Sequence, residues 1–494
     1  MIWAAAACGG HASSVSGPQP SAAPEATRWV PERPSYLVAS PAIAGAQRDL
    51  GEALDALAAV TGIDAHELSG VAQGLVGVDI LNADALAGIG IDVHASWAVF
   101  SDAVDPTFVV HLAAPDKTAA FLDHQRARGL QSQAVTVDQT QIFSAPLIGG
   151  VTIQWAIAGD WLWIHLSTPR GGATPDDATA WFRASHGAHG GAWADSWAWA
   201  ARGGGAAGVT GFFDLHNTVA KLGERAANAA ACVQLAPAIG RLGIAVHSDE
   251  HQIATRLALE LGPSDGAALA RHVLAPPSGW PAAAGSAALA VAWNLDLVAV
   301  RAYLQPCLAA AGLVRQDALA MLDDSGVRAA RGLLASFNPD NLAATAAIAL
   351  DVTRPDHFNR LLDRLPLRST LEQPRTFAGH RGFAVDIPFS FSVEYVVEPN
   401  LVVGGLGEGM VAPLFAPAST SAGAPPIFAL DLAPPKLSRA AWATLIQAIA
   451  ERLLSGSPGP SAKRAADHLL RWRAAHVAIA SEGNELVLTA RGER

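Results

Sequence analysis

The 494-residue chain is poor in lysine, and its acidic residues outnumber its basic ones. Only four of the 33 basic residues are lysines (Lys117, Lys221, Lys436 and Lys463), and the net charge is −11. This skew towards arginine and the abundance of alanine are typical of a high-GC genome rather than of a phosphate-binding surface. An acidic chain without a basic block is not expected to bind nucleic acid.

Long apolar runs are also missing. No stretch reaches the 18 uninterrupted apolar residues expected of a membrane-spanning helix. The nearest, from Phe143 to Leu166, is interrupted by Gly149-Gly150, Gln154 and Gly159-Asp160. These interruptions are interpreted as turns, with a pair of strands that turns at Gly159-Asp160. We therefore expect the body of the protein to be soluble and any membrane contact to be made by an anchor.

Sequence signatures of catalysis are absent. The chain has no G-x-S-x-G elbow, C-x-x-C pair, Walker loop or H-E-x-x-H helix. The run Gly203 to Gly208 matches G-x-G-x-x-G by letter, but a strand-like segment follows it where a dinucleotide site needs a helix, so it is interpreted as a loop. The sequence thus favours a protein that is not an enzyme and needs no cofactor.

The N-terminal segment carries the clearest indication of a cellular compartment. Ala5-Ala6-Ala7-Cys8 resembles the lipobox of bacterial lipoproteins, which implies lipidation of Cys8. The apolar stretch before Cys8 is shorter than a complete signal peptide, so residues 1–8 would be the truncated end of one. The alternative is an Ala-rich tail with an incidental cysteine. Residues 9–34, rich in Gly, Ser, Pro and Ala at their start, are expected to be a disordered tether.

Internal similarity at one offset predicts a duplication. The segment Pro115–Asp123 resembles Pro355–Asp363, which lies 240 positions later, and Thr152–Leu162 resembles Ser392–Val402 at the same offset. The C-terminal parts of the two halves correspond at shorter offsets, 233 for Ile244 and Val477, and 217 for Phe213 and Leu430. We expect two homologous halves, residues 35–264 and 284–494, joined by a linker over residues 265–283.

Each half is predicted to be α+β. Short apolar runs at Trp97–Phe100 and Thr107–Leu112 are separated by a polar turn, which indicates paired strands. Pro115 and Asp116 are expected to begin a helix, with Asp116 as its cap and Gly129 as its stop. Strands joined by short turns are antiparallel. The predicted fold is therefore an antiparallel sheet in each half, with helices packed on one face.

This order of elements resembles a group of uncharacterised bacterial envelope lipoproteins found in high-GC species, in which a domain of unknown function is duplicated. The resemblance spans roughly residues 35–490 and carries no catalytic signature. It implies an extracytoplasmic protein that is not an enzyme, and it supplies no site residues.

Two histidines in a glycine-rich loop, His186 and His189, are weak candidates for metal ligands. Asp176 and Asp177 precede them by about ten residues. A zinc site needs three or four firmly held ligands, which a glycine loop does not provide. We therefore expect no metal, although a hydrolase or metal-dependent enzyme that uses this insert is the competing hypothesis.

Cys232 and Cys307 allow two interpretations. They can form a disulfide in an oxidising periplasm, or they can be two buried free thiols. Each lies in an Ala-rich setting without a neighbouring His or Lys to stabilise a thiolate, so neither is expected to be catalytic.

Tryptophan is unusually frequent, with 14 residues against 15 phenylalanines. Trp193, Trp197 and Trp199 lie in an insert that the second half lacks, and their spacing suits a short helix with exposed indoles. They are the candidate surface for an apolar ligand or a protein partner. The sequence therefore predicts a non-catalytic lipoprotein on the periplasmic side of the cell envelope, with the outer membrane favoured over the inner one.

Overall fold

The computed structural model describes residues 22–48, 51, 77–79, 82–101, 105–128, 131–147, 150–167, 175–187, 191–202, 208–215, 217–218, 239–299, 326–363, 371–387, 391–417, 424–453 and 459–494. Every strand pairing named below is antiparallel. The architecture is α+β, as the sequence predicts.

The first ten strands form one block of sheet. They are β1 Tyr36–Ser40, β2 Trp97–Ser101, β3 Thr107–His111, β4 Gln133–Val137, β5 Thr140–Pro146, β6 Thr152–Ala158, β7 Trp161–Ser167, β8 Val209–Asp214, β9 Ile239–Ser248 and β10 Gln252–Leu261. Across the sheet they lie in the order β4-β5-β6-β7-β3-β2-β1-β8-β9-β10.

The next ten strands form a second block with the corresponding order. They are β11 Leu289–Trp293, β12 Val327–Asn338, β13 Ala343–Val352, β14 Glu372–Phe377, β15 His380–Ile387, β16 Phe391–Val397, β17 Leu401–Leu406, β18 Phe428–Leu432, β19 Ala474–Glu482 and β20 Glu485–Glu493. Their order is β14-β15-β16-β17-β13-β12-β11-β18-β19-β20.

The two blocks join through β10 and β20, so the described strands make one continuous 20-stranded sheet. In this pairing Arg256 lies opposite Thr489, which is 233 positions later. On either side, Thr255 faces Ala490 and Leu257 faces Leu488. Leu488 lies 233 positions after Thr255, and Ala490 lies 233 positions after Leu257. Corresponding residues of the two strands therefore exchange places across the junction, which is symmetric about the pair Arg256 and Thr489.

Helices cover parts of this sheet. They are α1 Ala83–Gly88, α2 Pro115–Ala127, α3 Pro175–His186, α4 Ala194–Ala200, α5 Pro263–Arg271, α6 Trp280–Ser286, α7 Pro355–Leu362, α8 Arg439–Leu453 and α9 Gly459–Leu469, with 3-10 segments at Glu25–Trp29, Ala412–Phe415 and Pro434–Lys436. Among the described residues, none of these helices is long and apolar enough to cross a membrane.

The expectation that helices pack on one face only is wrong. Trp163 and its neighbour Leu162 point to opposite faces of β7. Trp163 packs with Phe182 of α3, whereas Leu162 packs with Leu86 of α1 and Phe121 of α2. Both faces of this strand are apolar, so both need a covering layer to keep water out.

The second block is covered in the same way. Leu333 and Leu334 are neighbours on β12 and point to opposite faces. Leu333 packs with Trp280 of α6, and Leu334 packs with Trp442 of α8. The core therefore lies in two layers, one on each side of the sheet.

The predicted start of α2 is confirmed, because Pro115 begins it, and Pro355 in the similar segment begins α7. Proline suits the first helical position, where its missing N–H needs no partner. The predicted cap is wrong: Ala114 occupies the N-cap of α2 without a side-chain hydrogen bond, and Asp116 lies inside the first turn. Gly129, the predicted stop, lies outside the described residues.

Regular structure occurs in the described part of the predicted tether, residues 22–34, and in the predicted linker, residues 265–283. Ala26, Trp29 and Val30 pack into the core, where Trp29 is 4% exposed and its ring lies 6.3 Å from those of Trp161 and Phe182. The segment over residues 265–283 contains most of α5 and the start of α6. Buried Arg331 donates hydrogen bonds of 3.3 Å to the carbonyls of Leu274 and Ala275. These contacts fix the segment to the second block.

Candidate functional site

A cleft of about 510 Å³ opens on the first block beside the start of α4. Three pieces of chain line it. They are residues 32–34 after the first 3-10 segment, then Ala192, Trp193 and Ser196 around the start of α4, and Phe212, Asp214 and Asn217 at and just after the end of β8. The backbone N–H of Asp214 donates to the carbonyl of Ser35 at 2.7 Å, which ties the first piece to the third. The volume lies within the range of small-molecule sites.

The apolar wall of the cleft comes from Trp193, Phe212 and Pro34. All three are buried, and Trp193 is 7% exposed. The indole Nε1 of Trp193 is buried without a hydrogen-bond partner. The same holds for the indoles of Trp163 and Trp197 in this core, and a buried N–H without a partner costs free energy.

The polar end of the cleft is built around Asp214. Its Oδ1 accepts a hydrogen bond of 2.8 Å from the backbone N–H of Asn217, and its carbonyl accepts one of 2.7 Å from Thr218 Oγ1. Asn217 Nδ2 donates to the carbonyl of Arg33 at 3.4 Å. Glu32 and Arg33 are exposed at the rim. The cleft thus offers an apolar wall and a small set of polar groups at one end.

An ion pair beneath α4 holds the cleft in shape. Both Nε and a terminal nitrogen of Arg241 donate to Glu260, at 2.7 and 2.9 Å, and another nitrogen donates to Ser196 Oγ at 3.0 Å. The hydrogen bonds that Arg241 donates to Glu260 raise the pKa of Arg241, so the guanidinium stays charged. It also lies 4.9 Å above the ring of Trp199.

The predicted exposure of the three tryptophans is wrong. The short helix α4 does form, but Trp193, Trp197 and Trp199 are 7%, 4% and 4% exposed and belong to the main core of the first block. The indoles cover apolar strands of the sheet, and burial of so large a surface is more favourable than exposure. Only Trp193 also lines the cleft.

A buried hydrogen-bond chain lies nearby, under α3. Trp181 Nε1 donates to Thr107 Oγ1 at 2.7 Å, and Thr107 Oγ1 lies 2.9 Å from His165 Nδ1. Burial lowers the pKa of His165 to about 4, against the opposing charge of Asp105, so the imidazole is neutral at pH 7. Which of Thr107 Oγ1 and His165 Nδ1 donates depends on the imidazole tautomer, and in either case the chain links β3 to β7 and to α3.

The weak metal candidate His186 lies at the end of α3, where its ring stacks on Phe182 at 5.5 Å and meets Trp29 edge-on at 5.1 Å. Within the described part of the chain, no three His, Cys, Asp or Glu residues are close enough to hold a metal ion. His189, Cys8, Cys232 and Cys307 lie outside the described residues, as does most of the predicted glycine loop.

Sequence reasoning missed Asp214, Asn217 and Ser196. Asp214 ends a predicted strand and precedes Asn217 by three residues, a spacing that is typical of a carboxylate capping the next turn. That signal was available. No comparable pattern indicated that residues 32–34 line the cleft, because these residues were expected to belong to the tether.

Comparisons with known proteins give no family. No family model matches the chain, and no curated protein matches it. Among solved structures, crystal form III of TP0453 is similar at 9% identity and a TM-score of 0.29, over 51% of this chain and 87% of that one. Crystal form I of TP0453 is similar at 8% identity and a TM-score of 0.28, over 49% of this chain and 80% of that one.

Proposed function

We propose that this protein is a non-catalytic lipoprotein of the cell envelope that binds an apolar ligand in the cleft beside Trp193. The cleft carries the proposal, because an apolar wall with a few convergent polar groups is the usual design of a small-molecule site. A protein partner was the other possibility within this hypothesis. The volume of about 510 Å³ and the buried aromatic lining by Trp193 and Phe212 favour a small ligand.

The test uses the neutral apolar dye N-phenyl-1-naphthylamine and fills the cleft by mutation. Ala192 lines the cleft and is exposed, so Ala192→Trp should occupy its volume and weaken dye binding at least tenfold, or about 1.4 kcal/mol. Ala194, two residues later at the start of α4, is exposed but does not line the cleft, so Ala194→Trp is the matched control. Equal affinity of the two variants for the dye would contradict the proposal.

The lipid anchor is proposed at Cys8. A single acyl chain holds a protein to a membrane only marginally, whereas two or more hold it stably, at about 0.8 kcal/mol per buried methylene. A diacylated or triacylated cysteine would therefore suffice. We expect Cys8→Ser, expressed from the genomic locus with its upstream sequence, to move from the membrane fraction to the soluble fraction. Retention in the membrane fraction would refute the anchor.

We also propose that the two blocks are homologous halves. Their equal strand order and the self-symmetric junction of β10 with β20 support this. Phe143 lies opposite Trp155, and Phe383 lies opposite Tyr395, and each pair has ring centroids 5.5 Å apart. Both pairs obey the offset of 240.

One sequence correspondence needs correction under this proposal. Ile244 and Val477 correspond at the offset of 233, and Ile244 lies opposite Gly211 whereas Val477 lies opposite Leu430. Gly211 therefore takes the place of Leu430, at an offset of 219 instead of the 217 expected from Phe213. Short strands with loose motifs can be aligned two residues apart without changing which face each residue occupies.

A further inference from the structure

The described sheet ends in two edge strands, β4 and β14, which take corresponding places in the two blocks. At the offset of 240, Ala134 corresponds to Pro374 and Val135 corresponds to Arg375. Ala134 and Pro374 indeed face equivalent residues of the neighbouring strands, Phe143 and Phe383. Each edge strand has backbone N–H and C=O groups without a partner strand, and the two edges differ in the residues that protect these groups.

The turn that follows each edge strand fixes which groups point outwards. Asp138 and Gln139, between β4 and β5, have φ values of 48° and 70°, as expected of a two-residue hairpin loop. Val137 and Thr140, which flank this loop, then form a hydrogen-bonded pair. Along an antiparallel ladder, hydrogen-bonded pairs alternate with pairs that are not hydrogen-bonded to each other. The N–H and C=O of Ala134 and Thr136 consequently point away from β5.

The edge at β14 is protected at the same place. Pro374 has no N–H to offer there, and Arg375 pairs with Asp386 at 3.3 Å and with Glu408 at 3.8 Å. Proline and charged residues are the usual means of preventing another strand from adding to an edge. A strand that approached β14 would meet a missing donor and a charge.

The edge at β4 has neither protection. Residues 133–136 are exposed, with Val135 at 55%, and no charged residue lies between Arg128 and Asp138. Among the described strands, β4 pairs only with β5. Its outward N–H and C=O groups form a template for one more strand.

We propose that β4 pairs antiparallel with β4 of a second copy of this chain, with Val135 opposite Val135 of the other copy. Val135 is the central residue of the strand, so this register is self-complementary. Ala134 of each copy exchanges two hydrogen bonds with Thr136 of the other, which makes four in all, and no like charges meet. The chain joins its own blocks in the same manner, through antiparallel pairing of the corresponding strands β10 and β20.

The pairing is weak because the strand is short. An added strand of five residues buries less than the roughly 1,200 Å² of a standard stable interface. We expect a reversible dimer with a dissociation constant on the order of 100 µM.

Sedimentation velocity of the full chain between about 2 and 500 µM tests the dimer. Wild type should shift from monomer to dimer over this range, whereas Ala134→Pro and Val135→Lys should stay monomeric. Proline at 134 should leave folding intact, since Pro374 occupies the corresponding place, and circular dichroism checks this for both variants. Thr376→Lys on β14 is the matched control and should dimerise as wild type does.

A wild-type chain that stays monomeric throughout would overturn the proposal. Dimerisation of both β4 variants with the affinity of the wild type would also overturn it, because the dimer would then use another surface.

A cysteine at the centre of the strand tests the register. In a chain with Cys8, Cys232 and Cys307 changed to serine, Val135→Cys should form a disulfide-linked dimer on mild oxidation. Directly opposed residues of a non-hydrogen-bonded pair have Cα atoms about 4.5 Å apart, within reach of a disulfide. Thr376→Cys in the same background is the control. Equal cross-linking of the two variants would refute the β4 register.

Discussion

Glu485 connects the two blocks of the sheet, and its removal should cost the protein much of its stability. The residue begins β20 and lies opposite Glu260 at the end of β10. Its Oε1 accepts a hydrogen bond of 2.8 Å from Trp199 Nε1 and lies 3.1 Å from Arg202, while Oε2 accepts one of 3.0 Å from Arg256. The side chains of Glu485 and Arg256 are only 10% and 11% exposed.

The magnitude follows from what Glu485→Ala leaves behind. Arg256 would keep a nearly buried charge without this carboxylate, and one of its terminal nitrogens already has no partner. Trp199 Nε1 would lose its acceptor. Breaking a buried ion pair costs about 3–5 kcal/mol. Because Arg256 and Glu485 keep some exposure to solvent, we expect a loss of about 3 kcal/mol in the free energy of unfolding. Glu485→Gln keeps an acceptor for the indole and should cost about half as much.

Urea unfolding, followed by tryptophan fluorescence and circular dichroism, measures the free energy of unfolding. The control is Asp467→Ala, which removes an exposed ion pair with Arg439. The side chain of Arg439 is 60% exposed and that of Asp467 is 44% exposed. That change should cost less than about 1 kcal/mol. If Glu485→Ala costs no more than Asp467→Ala, the reasoning about the junction is wrong.

Three further predictions concern the core and the metal hypothesis. Gly243→Ala should destabilise the protein by about 1–3 kcal/mol in urea unfolding, because its Cβ would lie 2.8 Å from Trp199 Cζ3, whereas Gly285→Ala in α6 meets nothing within 4 Å and should not destabilise. The folded-state pKa of His165, about 4, lies below the ordinary 6.5, so the unfolded chain takes up the proton first as pH falls. The free energy of unfolding should therefore fall by up to about 3 kcal/mol between pH 6.5 and 4. The free energy of unfolding of His165→Asn should not show this decrease with falling pH. Elemental analysis of the purified protein should find no stoichiometric zinc, and zinc that is lost in His186→Ala would instead favour the enzyme hypothesis.

The sequence predicted the sheet well where its patterns are local. Trp97–Phe100, Thr107–Leu112 and the strand pair that turns at Gly159-Asp160 all form as expected. Alternation of side chains and turn residues determine such hairpins without reference to distant chain. The α+β class follows from them.

The candidate site could be predicted less well, because it depends on long-range packing. The spacing of Trp193, Trp197 and Trp199 predicted a helix but not which way its indoles point. That direction is set by β8 and β9, where Gly243 leaves room for the ring of Trp199. The ordered segment around Trp29 was missed for the same reason, since its partners Trp161 and Phe182 are more than 130 residues away.

The most direct test of the binding proposal is native mass spectrometry of the protein purified from the envelope of its own cells. We predict one small apolar molecule bound to each chain, released by organic solvent and absent from Ala192→Trp. A wild-type chain that carries no noncovalently bound molecule, or one retained equally by Ala192→Trp, would contradict binding in the cleft beside Trp193.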